Sequence, residues 1–83
     1  LPIYIGLSDY SKGDYNNARI NFEKSFLYVK DQYYSDNVLY YLGRIYEAEN
    51  NIEKAKEVYQ QAIDQYKGTD GANSSRRRLN NLQ

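Results

Sequence analysis

The stretch Leu39-Tyr40-Tyr41-Leu42-Gly43-Arg44-Ile45-Tyr46, followed after a polar break by Ala55-Lys56-Glu57-Val58-Tyr59-Gln60-Gln61-Ala62-Ile63, decides the fold. Leu39, Leu42, Gly43 and Tyr46 stand at i, i+3, i+4 and i+7, which is one face of an α-helix. Ala55, Tyr59, Ala62, Ile63 and Tyr66 make a second such face. Glu49-Asn50-Asn51 separates the two, and Asn51 has the short polar side chain that caps a helix start. Two amphipathic helices joined by so short a turn pair antiparallel. Gly43 and Ala55 are small at the crossing, where a larger side chain would force the backbones apart, and Tyr59 fills the space beside them.

Working outward, the same pattern precedes this one. Shifting the sequence by 37 residues lays Gly6 on Gly43, Tyr4 on Tyr41, Ile5 on Leu42, Ala18 on Ala55, Phe22 on Tyr59, Ser25 on Ala62 and Phe26 on Ile63. Lys12-Gly13-Asp14 takes the place of the turn, with Asp14 as N-cap. Five helices are expected, over about 2–12, 14–32, 36–49, 52–67 and 71–82. Ser35 or Asp36 starts the third, and Thr69 or Asp70 the last. Asp31-Gln32-Tyr33 and Asp64-Gln65-Tyr66 are 33 apart, whereas Phe26 and Ile63 are 37 apart. The second helix should therefore be four residues longer than its counterpart, just over one turn.

Leu42-Gly43-x2-Tyr46, then Ala55-x3-Tyr59-x2-Ala62, resembles the tetratricopeptide repeat, and Ile5-Gly6, Gly13-Asp14-Tyr15, Ala18, Phe22 and Ser25 repeat it. Leu39 replaces the family's tryptophan, Asp9 replaces the tyrosine in the first unit, and the closing proline is missing from both. The resemblance implies an all-α fold in which antiparallel helix pairs stack as a right-handed solenoid, here two repeats plus a C-terminal capping helix. The expected organisation is one domain over 1–83, with repeat one at 1–34, repeat two at 35–68 and the cap at 69–83. With no initiator Met, the chain reads as the C-terminal part of a longer protein. The long second helix, the Tyr-x-Ser-Asp of Tyr33 to Asp36 and the Leu39-to-Gly43 run also resemble bacterial cell-envelope repeats, such as the coordinator of the Tol-Pal system and outer-membrane assembly lipoproteins. The compartment is left open between the bacterial cytoplasm and an extracytoplasmic or membrane-anchored site.

Composition narrows the chemistry. There is no Cys and no His in 83 residues, so disulfides, thiolate metal sites and the commonest general base are ruled out. No cofactor or metal is expected. Net charge is zero, which gives no general attraction to nucleic acid. No apolar run approaches the roughly 20 residues of a membrane span. Ser8, Ser11 and Ser25 have no activating partner, and neither glycine-containing turn carries a phosphate-binding pattern. The expectation is a protein that is not an enzyme.

Binding a protein or peptide remains. In the resemblance the first helix of each pair lines a concave groove. Ile3, Leu7 and Tyr10, then Asn37, Tyr40, Arg44 and Glu47, then Ser74, Arg77 and Asn81 are placed there. Tyr40, Arg44 and Arg77 are the expected anchors, being residue types that often carry interface energy. Ile3 and Leu7 stand where chaperone-binding repeats place carboxylate-clamping residues, which argues against a chaperone-tail ligand. The alternative is a homodimer formed through an uncovered edge at Ile3, Ile5 and Leu7. A further alternative, nucleic-acid contact through Arg76, Arg77 and Arg78, is weakened because consecutive residues spread around a helix. Arg77 is expected on the inward-facing rung.

Overall fold

The same turn is built twice. Gly13 (φ 81°) and Asn50 (φ 62°), 37 residues apart, both take the left-handed conformation that ends a helix. Around them the hydrogen bonds match pair by pair. Gly13 N donates to Tyr10 O and Asp14 N to Asp9 O, at 3.0 and 2.9 Å. Asn50 N donates to Glu47 O and Asn51 N to Tyr46 O, at 2.9 and 2.7 Å. The caps correspond as well: Asn17 N donates to Asp14 Oδ1 (3.3 Å) and Lys54 N to Asn51 Oδ1 (3.4 Å). A sequence period thus becomes a repeated backbone motif.

The computed structural model describes residues 2–28 and 35–83. Among these are five helices and no strand: α1 (Pro2–Ser11), α2 (Tyr15–Tyr28), α3 (Ser35–Ala48), α4 (Ile52–Gln65) and α5 (Asp70–Leu82). The all-α repeat fold is as expected, with helix ends shifted by a residue or two. Lys12 leaves the first helix because Gly13 turns the chain. Tyr66 closes α4, its N–H bonded to Ala62 O and its carbonyl accepting from Thr69 Oγ1 at 2.6 Å. Thr69 in turn caps α5 by accepting from Ala72 N at 3.3 Å. The extra turn expected at 29–32 lies outside the described residues.

The chain divides into two compact units, Leu1–Ser35 and Asp36–Gln83. In the first, α1 and α2 meet at Gly6, where an added Cβ would stand 2.7 Å from Phe22 Cδ1. Ile3, Ala18 and Phe22 are buried. Asp9 accepts from Asn21 Nδ2 at 3.1 Å, tying the two helices. In the next repeat the matching positions hold Tyr46 and Val58, which cannot form this carboxylate–amide bond.

In the second unit, α3 crosses α4 at Gly43, and a Cβ there would overlap the Tyr59 ring. Val38, Leu39, Leu42, Ile45, Tyr46, Ala55, Tyr59 and Ala62 are buried. α5 rests on the first turn of α3: a Cβ at Gly71 would run into the Asp36 backbone, and Gly71 N donates to Asp36 Oδ2 at 2.8 Å. Leu79 is buried, as expected for the closing helix.

Candidate partner-binding face

Asn37, Tyr40, Arg44 and Glu47 lie at i, i+3, i+7 and i+10 of α3 and so share one stripe beside its buried face. All four are half-buried. Tyr40 is held between neighbours, its ring centroid 5.6 Å from that of Tyr41 and 6.3 Å from that of Tyr59. Arg44 Nη1 donates to Tyr40 Oη at 3.1 Å, which orients both groups. The sequence placed these residues together, and the structure links Tyr40, Arg44 and Glu47 in one network.

Glu47 has an internal role that the sequence did not show. Its Oε2 accepts from Tyr59 Oη (2.5 Å) and Arg78 Nε (3.1 Å), and its Oε1 accepts from Arg78 Nη2 (2.5 Å). Arg44 Nε stands 4.0 Å from the same carboxylate. Burial pushes the Glu47 carboxyl up. The bonds from Arg78 and Tyr59, with the charges of Arg78 and Arg44, more than offset that and hold it below its ordinary value. Burial, then the bond to Glu47, pushes the Tyr59 phenol up. The bond to Glu47 likewise pushes the Arg78 guanidinium up.

Arg77 takes no part in this network. It is exposed, and its Nη2 donates to Ser74 Oγ at 3.1 Å. Gly71, Ser75 and Leu79 set the buried stripe of α5. At about 100° per residue Arg78 flanks that stripe, while Arg77 lies a further step round. The spacing of Gly71, Ser75, Leu79 and Leu82 is the signal that identifies Arg78. Arg76 is exposed, so the three arginines point three ways and do not make one patch. Asn81 is exposed on α5.

In the first unit Tyr10 is half-buried, its ring 5.3 Å from that of Tyr15. Ile3 is 4% exposed, which removes it from both the expected groove and the expected edge: it turns into the α1–α2 contact with Gly6. Leu7 is half-buried, and the exposed apolar residues of α1 are Tyr4 and Ile5. Among the described residues no cluster of three or more Asp, Glu, His or Cys could hold a metal ion, and no helix is long and apolar enough to cross a membrane.

With this arrangement in view, residues 37–69 match the family model described as the tetratricopeptide repeat. The match covers α4, all of α3 but its first two residues, and the Thr69 cap, and it supports reading this segment as a repeat of that family. Repeats of this family generally mediate protein–protein contacts and are not catalytic. No curated protein matches the chain.

Proposed function

We propose that the chain is a non-catalytic interaction module that holds a peptide or protein segment against the α3 face formed by Asn37, Tyr40 and Arg44. The observation that carries this reading is the pre-oriented Tyr40–Arg44 pair. A partner meeting it loses little side-chain entropy on their account, because the Arg44–Tyr40 bond and the surrounding rings already restrict both. Tyr and Arg are also the types most often found at the energetic centre of interfaces. We assign repeat one to 1–34, repeat two to 35–68 and a closing helix to 69–83, in keeping with the unit boundary after Ser35. The resemblance around Tyr33 to Gly43 directs the search for that partner to bacterial cell-envelope proteins.

A displayed random-peptide library panned against the chain, followed by amide chemical-shift mapping of the selected peptides, tests this. Shifts clustered on Asn37, Tyr40 and Arg44 support the proposal. Shifts clustered on α1 and α2, or a library that yields no binder, overturn it.

A further inference from the structure

The closing helix is fastened differently from the helices it closes. α3 and α4 bury Val38, Leu39, Leu42, Ile45, Tyr46 and Tyr59. α5 buries Gly71, Ala72, Ser75 and Leu79, of which only Leu79 is a large apolar side chain. The Ser75 hydroxyl is buried with no hydrogen-bond partner, so it loses water on docking and gains nothing in return. α5 packs along α4 with few large apolar side chains of its own, and its polar fastenings sit at two points. One is the bond from Gly71 N to Asp36. The other is the two-pronged grip of Arg78 on Glu47, completed by the Tyr59 hydroxyl.

We infer that α5 is a releasable closure, latched by Arg78 on Glu47, that undocks under native conditions while α3 and α4 stay folded. Opening separates Glu47 from Arg78 and uncovers the first turn of α3, against which Gly71 now rests. Such a closure makes the end of the repeat array a two-state element. Local opening of this kind is expected where a helix buries few large apolar side chains of its own. Two residues set the balance in opposite directions. Arg78 holds the helix shut, and the unpartnered Ser75 hydroxyl favours release.

Native-state hydrogen exchange, read helix by helix on the whole chain, tests the inference. α5 amides should exchange through an opening of lower free energy than the α3 and α4 amides. Arg78→Gln should speed exchange in α5 by about ten- to hundredfold, in keeping with the loss of hydrogen bonds to a charged group, and leave α3 and α4 unchanged. Arg78→Lys should fall between. Ser75→Ala should slow α5 exchange several-fold. Equal protection of all three helices, or an Arg78→Gln effect spread equally over them, would overturn the inference. So would an Arg78→Gln chain that cannot fold, since the arginine would then hold the whole unit rather than one helix.

Discussion

Substituting Gly43 by Ala sets two effects against each other. Ala is a better helix former than Gly by about 1 kcal/mol, so on an open helix face the change would stabilise. At this position the new methyl meets the side of the Tyr59 ring, reaching 2.6 Å from Cδ1 and closer still to the neighbouring ring carbons. The ring has no room to retreat, because Tyr59 is 0% exposed and its hydroxyl is bound to Glu47. Overpacking costs about 1–3 kcal/mol. Weakening a hydrogen bond to a charged group costs about 1.5–3 kcal/mol more. Subtracting the propensity gain leaves a net loss of about 1.5–5 kcal/mol from the 4–12 kcal/mol or so expected of a chain this size. With a urea m value of about 1–2 kcal/mol/M, the midpoint should fall by about 1–5 M, read by far-UV circular dichroism. Background substitutions identify the cause. In Tyr59→Phe the ring remains but the bond to Glu47 is gone, so only the overpacking part of the Ala penalty should persist. In Tyr59→Leu it should shrink to near zero or change sign. Equal penalties in the Phe and Leu backgrounds would refute the close-crossing account of Gly43.

The other predictions concern caps, turns and charge. Gly13→Ala should destabilise by about 1 kcal/mol because of its positive φ, while Asn50→Gly at the equivalent position should be neutral or slightly stabilising; thermal melts of the pair check this. Asn51→Ala removes the α4 cap and should cost about 1 kcal/mol in chemical denaturation, and Thr69→Ala should cost at least as much because Thr69 also donates to Tyr66 O. Glu47 is held ionised in the fold, with Arg44 on α3, Tyr59 on α4 and Arg78 on α5 facing it. Its folded pKa lies below the unfolded one, so its contribution is complete above the unfolded value and is lost as pH falls through the folded value. Melting temperature should therefore drop more steeply in the wild type than in Glu47→Gln as pH falls below the ordinary carboxylate value of 4.5. Parallel curves would contradict the assigned role of this carboxylate.

Much of the fold was legible because it rests on short-range patterns. The 37-residue match, the small residues at both crossings, and the Asp14, Asn51 and Thr69 caps all depend on residue type at fixed spacing. The Glu47 network was not legible, since it joins residues 12 and 31 positions apart and depends on how α5 rotates against α3 and α4. Arg78, which joins this network, is the neighbour of the expected anchor Arg77, and on a helix one residue is about 100° of direction. Ile3 was misread for a related reason. In the sequence it looked like part of an uncovered edge, yet in the fold it stands one step from Gly6, on the side of α1 that meets Phe22. Tyr40 and Arg44 were legible as neighbours, because i, i+4 spacing brings them together on any helix.

The central claim is that the Tyr40–Arg44 face holds a protein partner. Titration calorimetry of a selected peptide against the wild type and against the Tyr40→Ala/Arg44→Ala chain tests it most directly, with helicity checked on both. The account predicts at least a tenfold weaker Kd for the substituted chain, about 1.4 kcal/mol or more, at unchanged helicity. An unchanged Kd would contradict it.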